Sequence, residues 1–239
     1  MTNPIIRTGV WGRTLPMKER LADDKKLVTI NGVPYFRGSY NGKIKEFRII
    51  SQDTPILNGV CIGKSPREVI YVGSESYALN NLLVKVKQRA IDHGIIEKTR
   101  ILPAIYETVK ETFIYGNDKV EEILDQRNLW HDGMISLGEF IRAKAGACRQ
   151  MALTCGGLIE KCKFDAELNR LGVNPCGKVS IDRNQANNAG HTWARYTCYD
   201  GRIIILDTAQ SFFGKLNKDT MVRIQAGQLW PYNRPGENY

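Results

Sequence analysis

The apolar residues of this chain change their period once, near Gly73, and that single change limits how the chain can fold. Before it, residues 27–50 read as short strands around two Asn-Gly pairs, Asn31-Gly32 and Asn41-Gly42. Asn and Gly accept the positive φ angles that two-residue hairpin turns require, so a small β meander is expected there. Residues 60–62 and 69–72 continue the β character across the turn Gly63-Lys64-Ser65-Pro66. From Ser76 onward Leu79, Leu82, Leu83, Val86 and Ala90 recur at helical spacing, with Gly94 as a stop and His93 as a partner for the helix-end dipole. A second helix is predicted over 102–114, with Ile105, Val109, Thr112 and Phe113 inward, and Asp118 reads as the cap of a third. Residues 1–73 are thus expected to form a basic, β-rich extension and residues 74–239 the main body.

Composition narrows the class. The 239 residues are 42% apolar, enough to bury a core without staples, and six Cys are too few for a disulfide scaffold. Reduced thiols and a cytosolic compartment follow. No stretch reaches the roughly 18 uninterrupted apolar residues of a membrane span, and residues 1–14 lack the apolar core of a signal peptide. The expected location is cytoplasmic, or a host cytosol reached by a signal-peptide-independent route. The net charge is +9, and residues 1–100 carry most of it, with 17 basic against 9 acidic side chains. An anionic partner such as nucleic acid is a candidate for that half. Its cations come in scattered ones and twos, the pattern of an ordinary solvated surface.

Chemistry concentrates in the second half. Ser136-Leu137-Gly138-Glu139 has the form of a capping box, so a short helix should start there and end at Ala145-Gly146. Ala147-Cys148-Arg149-Gln150 then opens a long apolar helix continuing to about residue 159 or 162. A thiol at a helix N-terminus faces unpaired amides and the positive end of the dipole, which favour thiolate, and Arg149 adds to the bias. Gly146, lacking a side chain, would let a substrate carbonyl approach the sulfur and an oxyanion-holding amide. Cys155 and Cys162 follow at seven-residue intervals, each about 10 Å further along the axis, too far for a disulfide or a shared metal. They read as core thiols.

A thiolate needs a base, and the base an orienting partner. His191 heads the strand pattern 190–197, after a polar loop over 183–188, and the apolar strand 202–206 ends at Asp207. With a three-residue turn at 199–201, cross-strand partners sum to 400. Asp207 then faces Trp193, and His191 becomes its diagonal neighbour on the same side of the sheet. A two-residue turn would put the two on opposite faces. The order Cys, His, Asp is that of a nucleophile, a base and an orienter.

These residues resemble the transglutaminase-like branch of the papain-like cysteine enzymes. The likeness rests on Ile105-Tyr106 through Ile114-Tyr115, Gly146-Ala147-Cys148 with Ala152-Leu153, His191-Thr192-Trp193 and Leu206-Asp207-Thr208, and spans about residues 101–213. It implies an α+β fold, in which a helix bearing the nucleophile Cys148 packs on an antiparallel sheet carrying the base His191 and the orienter Asp207. It also implies amide acyl transfer through a thioester, with a protein or peptide as substrate: cysteine protease, glutamine deamidase or transglutaminase. Trp130, Gly146 and Trp193 are its candidates for oxyanion or substrate positioning. Thr192 and Thr208 depart from the family's usual Ala and Pro. No metal or other cofactor is expected. The competing reading is a basic binding module in which the three residues are only scaffold.

Overall fold

A computed structural model describes residues 26–50, 55–63, 67–92, 101–186 and 189–237. His93, Gly94 and the first 25 residues, which carry part of the basic excess, lie outside the described residues.

Five strands come first: β1 (Leu27–Ile30), β2 (Val33–Tyr40), β3 (Lys43–Ile49), β4 (Gly59–Ile62) and β5 (Val69–Val72). Helices α1 (Tyr77–Asp92) and α2 (Ile101–Thr112) follow, then the two-residue strand β6 (Ile114–Tyr115) and helix α3 (Asp118–Gln126). Strand β7 (Met134–Ser136) leads into α4 (Leu137–Arg142), and β8 (Ala145–Gly146) into the long helix α5 (Cys148–Phe164) and the short α6 (Ala166–Arg170). Beyond these come β9 (Lys178–Ala186), β10 (Ala189–Thr197), β11 (Ile203–Asp207), β12 (Phe212–Lys215), α7 (Lys218–Gln225) and a tail over residues 228–237. The protein is α+β.

Both Asn-Gly pairs make two-residue hairpin turns. Asn31 and Asn41 hold φ of 49° and 51°, and the flanking pairs are Ile30↔Val33 and Tyr40↔Lys43. The meander widens into a six-stranded sheet in the order β1-β2-β3-β4-β5-β7, with β5 and β7 parallel. One sheet thus joins strands from before and after Gly73, and Ile50, Ile56, Cys61, Ile70 and Val72 share the main core with the helices. Helix starts follow local chemistry. The Ser136 hydroxyl caps α4 by accepting from the Gly138 amide at 3.2 Å, but Glu139 pairs with Arg127 and Arg142 instead of closing a capping box. At α3 the cap position falls to Asn117, and Asp118 sits in the first turn.

Helix α5 is the centre of the fold. Met151, Ala152, Leu153, Cys155, Leu158, Ile159 and Cys162 are all buried, and each large apolar side chain so enclosed contributes about 1.5–3 kcal/mol. It packs against α1, α2 and the second sheet, four antiparallel strands in the order β12-β11-β10-β9. Ala194, Tyr196, Ile204 and Leu206 of that sheet join the core around α5. Its opposite face, Trp193, Ile203 and Ile205, buries against Phe212, Leu216, Ile224 and Tyr232 from β12, α7 and the tail. The loop expected over 183–188 is mostly strand: β9 runs to Ala186, because its pairing with β10, continuous from Thr197↔Lys178 to Ala189↔Ala186, overrides the polar composition. Among the described residues, no helix is long and apolar enough to cross a membrane.

Candidate active site

The first turn of α5 carries Cys148, half-buried, with Ala147 as its extended N-cap residue. The Gln150 side chain reaches back to accept from the Ala147 amide at 3.1 Å. That leaves the first-turn amides beside the thiol with no intrahelical acceptor, since none exists for the opening residues of any α-helix. Gln150 also donates to Glu68 at 3.1 Å, and Glu68, fully buried, forms an ion pair with Arg149. Arg149 therefore helps the thiolate less than its charge suggests, because a carboxylate accompanies it.

The β10–β11 register is Ala194↔Leu206 through Thr197↔Ile203, every pair summing to 400. The Cys198 amide donates to the Arg202 carbonyl, which closes a three-residue turn over 199–201 with Gly201 at φ +81°. One step further the same register sets Asp207 opposite Trp193, and His191 lies on the diagonal. Side-chain reach closes that gap: His191 Nε2 is 2.5 Å from Asp207 Oδ2. With Nε2 engaged, Nδ1 is the ring nitrogen left for Cys148, whose thiol lies near enough to the imidazole and to the Thr192 backbone N–H to feel both. Three stretches of chain, 43 and 16 residues apart, meet here.

The ring is held from two sides. Trp193 stacks on it with centroids 5.9 Å apart, and Trp230 meets it edge-on at 4.9 Å. Trp193 is completely buried, so it positions the imidazole and offers no surface to a substrate. Trp130 donates its ring N–H to Asp125 at 2.5 Å, which engages the donor an oxyanion would need. A Cβ at Gly146 would stand 2.6 Å from the Phe113 ring, so the missing side chain accommodates that ring, and the Gly146 carbonyl accepts from the Gly116 amide. Thr208, where the resemblance has Pro, hydrogen-bonds the Cys155 thiol.

Electrostatics favour a charged pair. Burial pushes the Cys148 thiol up, but the hydrogen bond to His191, its positive charge and the Thr192 amide outweigh burial and hold the thiol below its ordinary 9.0. For His191, burial favours the neutral ring, yet the hydrogen bonds and charges of Asp207 and Cys148 raise it from 6.5 to about 9. Cys155 and Cys162 go the other way, with burial driving both well above an ordinary thiol. The arrangement thus shifts the helix-start thiol toward thiolate and the ring toward imidazolium, while the other two thiols of the stripe stay protonated.

Several contributors escaped the sequence reading. Tyr232, completely buried, donates its hydroxyl to Asp207 Oδ2 at 2.8 Å, and the Gln210 amide donates to Oδ1 at 3.1 Å. Asn184 accepts from the Trp230 ring N–H at 2.5 Å and donates to the Pro231 carbonyl at 2.6 Å, which fixes the tail over the histidine. Tyr115, 56% exposed on β6, lies close enough for Cys148 to raise its hydroxyl, after burial, and so forms part of the rim. The run Trp230-Pro231-Tyr232 was the available signal, since aromatic residues rarely cluster in a purely solvated tail. Among the described residues, no group of His, Cys, Asp or Glu converges to hold a metal ion. No protein-family model matches this chain, and no solved structure matches it.

Proposed function

We propose that this protein is a cysteine-dependent amide acyl-transfer enzyme of the transglutaminase-like, papain-like kind, with Cys148 as nucleophile, His191 as acid and base, and Asp207 as orienter. One observation carries the reading: a single buried imidazole pairs with a buried carboxylate at 2.5 Å and lies close enough to a helix-start thiol for each to favour the charged form of the other. In the reaction, the thiolate sulfur bonds to the carbonyl carbon of an amide. First-turn amides of α5 stabilise the oxygen that becomes negative. The carbon–nitrogen bond breaks as nitrogen takes the proton from His191, and the acyl group remains on sulfur as a thioester. Water, or a second amine, then gives a proton to His191 and bonds to the acyl carbon, and sulfur leaves as thiolate. Asp207 keeps the ring in the orientation both steps need.

The substrate is a protein or peptide, attacked at a glutamine side chain or a backbone bond. Incubating candidate proteins with the enzyme and with Cys148→Ala separates the possible outcomes by mass spectrometry. A gain of about one mass unit marks deamidation, a loss of about seventeen marks crosslinking, and new termini mark proteolysis, each absent with the variant. Iodoacetamide gives a substrate-free check: Cys148 should react well below the pH at which an ordinary thiol does, and faster than Cys155 or Cys162. Slow, uniform labelling of all three would defeat the proposal.

A further inference from the structure

The tail over residues 228–237 crosses the sheet face that carries the histidine, and its central aromatic reaches the pair itself. Tyr232 and His191 donate to the same oxygen, Asp207 Oδ2, at 2.8 and 2.5 Å. No solvent reaches the Tyr232 side chain, whose ring stacks on Phe212 at 5.1 Å and meets Trp193 edge-on at 5.2 Å. We propose that Tyr232 is a positioning residue which, through Asp207, sets both the orientation and the basicity of His191, so that the site has four members and the fourth comes from the tail. This inference rests on the acyl-transfer reading of the same site.

The physics has a definite sign. A carboxylate oxygen that accepts from a hydroxyl spreads part of its charge into that bond and holds the imidazolium less strongly. Tyr232 can only donate here, because burial, followed by the nearby Asp207 charge, pushes its hydroxyl far above the ordinary range. The titratable groups facing the pair are Cys148 and Cys155 from α5, Tyr106 from α2, Tyr115 from β6 and Tyr232. Of these, Tyr232 is the one with a hydroxyl hydrogen bond to Asp207, since Tyr106 and Tyr115 act on it only through space. Removing the Tyr232 hydroxyl leaves the Oδ2 charge concentrated on the His191 bond.

The test is an NMR titration of the His191 ring in the full chain and in Tyr232→Phe, alongside the pH profile of Cys148 alkylation. Tyr232→Phe keeps the ring's contacts with Phe212 and Trp193. The expected result is a His191 pKa raised by about half a unit, with the alkaline limb of the alkylation profile moving the same way. A fluorinated tyrosine at position 232, a stronger donor, should shift both downward, a reversal that a purely structural role would not produce. An unchanged His191 titration in both variants, or shifts of the wrong sign, overturns the inference. If the titrations move as expected but Cys148 of the unmodified chain labels as an ordinary thiol, Tyr232 keeps its role and the acyl-transfer reading falls.

Discussion

Cys148 and His191 are shifted in opposite directions within the folded site, and their effects on the pH dependence of stability oppose each other. His191 is raised above 6.5, so its contribution is complete below that pH and is lost as pH rises through about 9. Cys148 is held below 9.0, so its contribution is present above 9.0 and is lost as pH falls through its folded value. The two contributions offset each other, so urea midpoints should depend less on pH in the unmodified chain than in a variant that lacks the thiol. Cys148→Ala unmasks the histidine: its stability should fall as pH rises above 6.5, by up to about 1 kcal/mol per pH unit, measured by urea unfolding. Asp207→Asn should return His191 toward its ordinary value and slow Cys148 alkylation at pH 7 by about tenfold or more, with near-native circular dichroism.

Helix α5 can pack closely on the four-stranded sheet because its middle is narrow. A Cβ at Gly156 would stand 2.5 Å from Ile56 Cδ1, in the segment before β4, and 2.7 Å from Ile181 Cδ1 on β9. Alanine is the better helix former, by about 1 kcal/mol, but forcing it between those two methyl groups costs about 1–3 kcal/mol. Gly156→Ala should therefore lower the melting temperature, and adding Ile181→Val, which removes the Cδ1 contributed by β9, should recover part of the loss. A melting point raised by Gly156→Ala would show that the contact has slack. The position matters for the site because α5 carries the thiol and the four-stranded sheet carries the imidazole, so their spacing is set here.

Across the molecule, the tail is tied down by a charge network remote from the thiol. Asp182, fully buried, accepts from Arg234 at 2.7 and 2.8 Å and lies 3.7 Å from Arg195, which in turn pairs with Glu237 at 2.5 and 3.0 Å. Removing one charge from a buried set leaves its partners uncompensated, at a cost of about 3–5 kcal/mol. Asp182→Asn should lose stability on that order in urea. It should also expose residues 228–237 to proteolysis and slow Cys148 alkylation, because Trp230 and Tyr232 lose their seat over His191. An intact tail and unaltered alkylation in that variant would mean that the aromatic contacts alone hold the tail. The same network explains how polar β9 stays in a buried sheet: its acid and Asn184 both serve the tail.

What the chain announced locally held up where the governing interactions were local. Asn-Gly turns, the Ser136 cap and the helix that opens at Cys148 depend on neighbours within a few positions, and the His191–Asp207 register depends only on the length of one turn. Gly146 shows the limit: its lack of a side chain was legible, but whether substrate or Phe113 fills the space was not. Tyr232 lies 25 residues beyond Asp207, and no periodicity says which face of the sheet a tail will cross or which oxygen a phenol will find. Sequence pattern assigned the thiol, the imidazole and the carboxylate to candidate roles. Packing of distant segments around α5 and the four-stranded sheet decided what surrounds them, because burial and charge compensation are properties of chain stretches brought together only in the folded state.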